Sequence, residues 1–273
     1  MASTTKPAQN APDAAVPQTS EPGAGDPNFM MSLARGLAIL RACAAHARES
    51  TIPQLSAETG IPRAAVRRVL YTLTQLGYAR PQGRGYVLLP RVLGIASAYS
   101  SASSLVDQAQ PVLDRLRDEL AESCSLGVLD GDDLLYVARA ETVRIMSIGL
   151  NTGSRLPAYC TSMGRVLLAD LPGDTIAGYL ERTSLRPRTE FTETDVERFR
   201  ALLVNVRIDR YALNNQELEI GLRSIAVPVR DGTGKVIAAM NVGSQTARVS
   251  RDALLADILP ALRKAAANLE AML

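Results

Sequence analysis

Arginine is the residue through which this sequence most plainly offers chemistry. Arg63, Arg67 and Arg68 fall within six positions, and Arg80 and Arg84 follow. A guanidinium presents its donors as a planar fork and pairs bidentately with guanine or with phosphate. At 100° per residue, a helix opening at Pro62 puts Arg63, Ala64, Arg67, Arg68 and Tyr71 on one face. Val66, Val69, Leu70, Leu73 and Leu76 then centre on the opposite face. Cations near a helix start sit where a recognition helix reaches base edges. On a lone helix the same face would be ordinary solvated surface. Charge is also unevenly spread. Residues 28–104 hold nine arginines, no lysine and two glutamates, a net of +7. Residues 105–273 hold 20 basic and 23 acidic side chains, a net of −3, and residues 1–27 carry −2. A phosphate-contacting module joined to a domain that does not bind nucleic acid would be charged this way.

The second half offers a different chemistry in two polar, glycine-marked segments, 153–164 and 211–226. Ser162 at an expected helix start would present backbone N–H groups suited to a carboxylate. Arg155 and Arg223 would add positive charge for the same anion, and Tyr159 in the first segment is a further candidate contact. Structural ion pairs would account for the same arginines equally well. Catalytic signatures are missing. The one histidine is His46, with no evident acid–base partner, so Ser-His and Cys-His catalysis are excluded from the second half. No G-x-x-x-x-G-K-[ST] occurs. Asp132 and Asp133 read as hairpin-turn residues, and Glu217 and Glu219 lack His or Cys support, so no metal and no cofactor are expected. Cys43, Cys124 and Cys160 are far apart and odd in number, which fits buried thiols in a reducing cytoplasm. No run of about 18 apolar residues predicts a membrane span, and the start of the chain does not read as a signal peptide.

These residues need elements to position them. Residues 1–27 read as a disordered tail, rich in Ala, Pro, Thr, Ser and Gln. Residues 30–47 read as a helix with Leu33, Leu37, Leu40 and Ala44 in a stripe and Ser32 as N-cap. It would complete a small core or pair with a second copy. Residues 52–85 then read as a short helix with Pro53 in its first turn and Leu55 inward, a turn at Gly60, a second helix and a tight hairpin. Together this is a winged helix-turn-helix, with Arg80 and Arg84 of the hairpin near the phosphate backbone. Residues 91–104 read as a linker helix ending in a serine-rich hinge. Residues 105–122 form an amphipathic helix. Strands follow at 126–130, 134–140 and 145–150, then a loop over 151–161. Helices are expected at 162–169, 174–180 and 193–208, strands at 225–229 and 236–242, and a closing helix at 251–272. The fold class is α+β, an antiparallel sheet covered by helices behind a DNA-binding module.

On these residues the chain resembles the IclR family of bacterial transcriptional regulators, over about 29–273. The resemblance rests on the helix-turn-helix and on Asn214, Glu217 and Gly221 followed by Ser224-Ile225-Ala226. Asn214 stands where the family often has an acid, and Ser224 where it often has cysteine. The runs RLPAYCTSMGRVLLA and ELEIGLRSIAVPVRD resemble the PcaR/PcaU/PobR-like branch, which governs aromatic-acid catabolism. The resemblance implies a domain order: tail 1–27, winged helix-turn-helix 28–90, linker 91–104 and a GAF-like effector-binding domain 105–273. It implies operator DNA and a small carboxylate as partners, and a homodimer or dimer of dimers. It carries effector contacts onto Leu150, Ser162, Met163, Asn214, Leu222, Ser224, Asn241 and Gly243. The expectation is a ligand-responsive regulator and not an enzyme. The alternatives are a regulator of the same kind sensing a non-aromatic acid, an enzyme with an accessory basic module, and an architectural DNA binder without ligand.

Overall fold

The computed structural model describes residues 26–46, 48–95, 104–142 and 150–273. Its contacts divide the chain into two compact units, residues 1–97 and 98–273. All but the last two residues of the expected tail, the hinge over 96–103 and most of the strand expected at 145–150 lie outside the described residues.

The first unit orders α1 (Met31–Ala44), α2 (Ile52–Thr59), α3 (Arg63–Gln75), β1 (Ala79–Gln82) and β2 (Gly85–Leu88). Its core is Ile39, Cys43, Leu55, Ile61, Val66 and Leu70. The stripe expected on α1 is therefore displaced. Ile39 and Cys43 face the core with Ala38 and Ala42, while Leu33 and Leu37 are more than half exposed. Ser32 does not cap α1. The N-cap is Met30 and bonds through no side chain, because the helix starts one residue before Ser32. Leu76 also departs from its expected stripe, lying exposed at the C-cap of α3. A 3₁₀ turn, Pro90–Val92, follows the hairpin.

The second unit is a six-stranded sheet in the order β5-β4-β3-β8-β7-β6, every neighbouring pair antiparallel. Its strands are β3 (Ser123–Asp130), β4 (Asp133–Ala140), β5 (Arg155–Pro157), β6 (Ala212–Asn215), β7 (Leu222–Arg230) and β8 (Val236–Gln245). Arg155–Pro157 falls in the expected loop, and no strand is expected at Ala212–Asn215. Both are short edge strands, without enough alternation to stand out by themselves. One face packs on α4 (Ser104–Leu120) and α9 (Leu259–Glu270); a short α8 (Arg251–Ala253) and a π turn (Leu254–Ile258) lead into α9. The other face packs on α5 (Ser162–Asp170), α6 (Gly173–Arg182) and α7 (Val196–Asp209). The expected α+β architecture is thus present, with the sheet buried on both sides.

Register slips at two points, between Val229 and Arg230 against β8 and between Leu126 and Gly127 against β4, and the second bears on the site. Leu126 pairs with Ala138 but Gly127 pairs with Tyr136, so Val137 is an extra, bulged residue of β4. Tyr136 faces the α5 side, Val137 and Ala138 both face the α4 side, and Arg139 returns to the α5 side.

Candidate functional site

In the first unit local signals set the presentation of α3. Thr51 caps α2 in a reciprocal box: the Gln54 N–H donates to Thr51 Oγ1 at 3.4 Å, and the Thr51 N–H donates to Gln54 Oε1 at 2.9 Å. Gly60 ends α2 in the left-handed region at φ 69°. Val66 and Leu70 are wholly buried, so the opposite face of α3 holds Arg63, Ala64, Arg67, Arg68 and Tyr71 exposed. The hairpin is pinned by Ser50, whose backbone exchanges two hydrogen bonds with Tyr86, at 2.9 and 3.0 Å. Gly85 permits that approach, since a Cβ there would lie 2.7 Å from the Ser50 carbonyl oxygen. Among the described residues, the side chains of Arg63, Arg67, Arg68, Arg80 and Arg84 make no hydrogen bond or ion pair. His46 does have an acidic partner, which the sequence did not show: its Nε2 lies 2.9 Å from Glu58 Oε1, joining the end of α1 to α2.

In the second unit a cavity opens between the sheet and the first turn of α5. Its walls are Ser123, Ser125, Tyr136, Arg139, Leu150, Cys160, Thr161, Ser162, Met163, Asn214, Leu218, Leu222, Ser224, Asn241 and Gly243. The sheet supplies two rows of lateral neighbours. One runs Arg139, Ser125, Asn241 across β4, β3 and β8; the other runs Ser123, Gly243, Ser224, Asn214 across β3, β8, β7 and β6. Above them Thr161 caps α5, accepting from the Gly164 N–H at 3.1 Å. Ser162 Oγ lies 2.9 Å from Ser224 Oγ, and Asn214 Nδ2 donates to the Cys160 carbonyl at 2.8 Å. Gly164 lets α5 sit against the preceding 3₁₀ turn (Ala158–Cys160), since a Cβ there would meet the Ala158 carbonyl oxygen at 2.2 Å.

Arg139 is the single formal charge among these walls. Burial pushes the Cys160 thiol up to about 11 and the Tyr136 phenol up to about 12, so both stay neutral at pH 7 and neither opposes an anion. The cavity volume is about 30 Å³, room for a few waters at most and well short of a ring. A ring-sized ligand must therefore displace side chains such as Met163, Leu218 or Leu222.

Two family models match this architecture. The IclR helix-turn-helix domain matches residues 32–83, and the bacterial transcriptional regulator IclR C-terminal model matches residues 97–271. The chain belongs to the IclR family of bacterial transcriptional regulators. It is 50% identical to the Pca regulon regulatory protein of Pseudomonas putida, over 90% of this chain and 84% of that one. A transcriptional regulator from Rhodococcus sp. RHA1 superposes with a TM-score of 0.78 at 43% identity, over 90% of this chain and 98% of its own. The inducer-binding domain of PobR from Acinetobacter, solved as a double mutant with 3-hydroxybenzoic acid, superposes with a TM-score of 0.59 at 37% identity, over 62% of this chain and 98% of its own.

Of the residues expected to contact an effector in this IclR-family chain, Leu150, Ser162, Met163, Asn214, Leu222, Ser224, Asn241 and Gly243 all line the cavity. Arg155, Tyr159 and Arg223 do not. Arg155 sits on the β5 edge, paired with Asp130 and lying 3.5 Å from Asp133. Tyr159 is buried among apolar neighbours and donates to the Arg186 carbonyl at 2.8 Å. Arg223 alternates with Ser224 and so leaves the cavity face; it donates to Asn215 Oδ1 at 2.7 Å and to the Val249 carbonyl at 2.8 Å.

Two residues that sequence reasoning passed over matter more. Arg139 reaches the cavity only through the bulge at Val137, which no local pattern announces. Arg165 is wholly buried, with Nη1 and Nη2 at 2.6 and 2.5 Å from the two Glu217 oxygens. Glu217 also accepts the Glu193 N–H at 3.0 Å. This clamp ties α5 to residues 216–221, which carry Leu218 into the cavity wall, and it gives Glu217 a structural partner in place of a metal.

Proposed function

We propose that this IclR-family regulator senses a small aromatic acid, or its ring-cleavage product, in the cavity beneath α5. It answers by changing how α3 and the wing engage operator DNA. The observation that carries the reading is the cavity itself: polar rows, a helix N-terminus and one arginine, the single formal charge among otherwise neutral walls. The effector contacts proposed are Leu150, Ser162, Met163, Asn214, Leu222, Ser224, Asn241 and Gly243. The DNA contacts proposed are Arg63, Ala64, Arg67, Arg68 and Tyr71 for the major groove and Arg80 and Arg84 for phosphate. The names of the Pca regulon regulator and of the PobR complex support the ligand class.

The working partition is a winged helix-turn-helix at 28–90, a linker at 91–104 and the effector domain at 105–273. The protein acts in the cytoplasm without a catalytic step, as a homodimer or dimer of dimers. Met30, Leu33, Leu37, Leu93 and Ile95 are apolar and exposed in the single chain, which supports pairing of copies through this unit. The small free volume favours one second reading, a non-aromatic acid that needs less displacement. Calorimetry with 4-hydroxybenzoate, protocatechuate, muconate and β-ketoadipate separates the two. Binding of a ring compound that weakens in Ser224→Ala supports the first. Binding confined to the open-chain acids replaces it with the second, and silence from all four removes the effector assignment.

A further inference from the structure

The start of α5 is one polar end of the cavity, and a second lies three strands away. There the Arg139 side chain is 8% exposed, yet its Nε has no hydrogen-bond partner. Its Nη1 donates to Ser125 Oγ at 3.0 Å, and its Nη2 is 3.5 Å from Glu141, a half-exposed carboxylate. On the same row, beyond Ser125, Asn241 is 7% exposed and its Oδ1 is also unpartnered. Buried polar groups in native structures are almost always satisfied, so two orphans on one row facing one cavity need a reason. The bulge that turns Arg139 inward is the kind of irregularity that aims a side chain at a site.

We infer that Arg139 and Asn241 form a second anchoring pole, so that the effector carries an oxygen substituent at each end. The inference rests on the reading of this cavity as the effector site. Arg139, the one formal charge, takes a carboxylate through its free Nε–H. Asn241 joins it after a half-turn of its amide, since the O and N positions of an amide are interchangeable assignments. The far end of the ligand, a hydroxyl or a second carboxylate, meets the Ser162–Ser224 pair and the first N–H groups of α5. The arginine is anchored over β3, and Ser224 lies two strands across and two residues along. Strand spacing and rise, less a hydrogen bond at each end, leave about 6 Å between ligand oxygens. Para substituents on one ring, or the two ends of a short diacid, span about that distance. An acid with a single polar end satisfies only one pole.

The test is calorimetry on the full chain with benzoate, 4-hydroxybenzoate and benzene-1,4-dicarboxylate. The two-ended acids are expected to bind wild type about tenfold or more tighter than benzoate, the scale of one hydrogen bond to a charged group. In Arg139→Gln that ratio falls to within about twofold, and Arg139→Lys restores part of it. Equal wild-type affinity for benzoate and the two-ended acids overturns the inference while leaving the effector site in place. So does an Arg139→Gln protein that melts like wild type and keeps the tenfold ratio. If none of the three acids binds, the aromatic-acid reading fails and the inference with it. The wild-type comparison decides the matter even where a variant does not fold.

Discussion

The arginines of α3 and the wing differ from Arg155, Arg165, Arg182 and Arg223 of the second unit in what holds them. Arg63, Arg67, Arg68, Arg80 and Arg84 have no partner among the described residues. Arg155 is held by Asp130, Arg165 by Glu217, Arg182 by Asp132, and Arg223 by Asn215 and a carbonyl. A cation already neutralised within the fold is structural, and one left free at a surface or within a cavity is available to an outside anion. By that measure Arg139 stands between the two sets: Ser125 and Glu141 hold its two Nη atoms, while its buried Nε–H is left free toward the cavity.

The comparison can be broken by removing partners. Glu217→Gln leaves Arg165 buried and uncompensated, which typically costs about 3–5 kcal/mol; thermal unfolding should show the largest loss of any single change here. Arg67→Ala or Arg68→Ala should weaken operator binding by about 1–3 kcal/mol per lost bidentate contact. Fluorescence anisotropy on a duplex selected from a randomised pool measures it, and the melting temperature should stay put. Gly164→Ala forces a methyl against a backbone oxygen, and overpacking of this kind costs about 1–3 kcal/mol; denaturant titration would show it. Arg155→Ala removes a partly exposed pair worth at most about 1 kcal/mol, and acid affinity by calorimetry should be unchanged. Smallest is the thiol response. Burial raises the Cys43 thiol and pushes Cys124 up to about 12 and Cys160 up to about 11, so all three stay protonated at pH 7. Maleimide should label them only as the protein unfolds.

Much of the first unit was legible because helix periodicity is local. Arg67 and Tyr71 lie one turn apart whatever the rest of the chain does, so residue types alone placed them on the exposed face. The α+β class and the sheet hairpins at Gly131 and at 231–234 were equally local. The cavity cation was not. In a regular strand Arg139 would have pointed away from Tyr136, and only a register shift against β3 reverses it. Arg155 and Arg223 were misassigned because the partners of Arg155 lie 22–25 residues away and those of Arg223 lie 8 and 26 away, and no spacing rule links them. The stripe on α1 was misread because apolar periodicity identifies a helix without saying which apolar face meets the core. Helix-start chemistry marked Ser162, and the resemblance to the family supplied the other seven cavity residues.

The central claim is that an anion held in the second unit is read out by free arginines in the first. Operator affinity of the full chain with and without saturating 4-hydroxybenzoate tests it directly, with acid binding verified by calorimetry on the same preparation. The account predicts a shift of about fivefold or more, in either direction, mirrored by an equal shift in acid affinity when DNA is present. Acid that binds while operator affinity stays the same would contradict it.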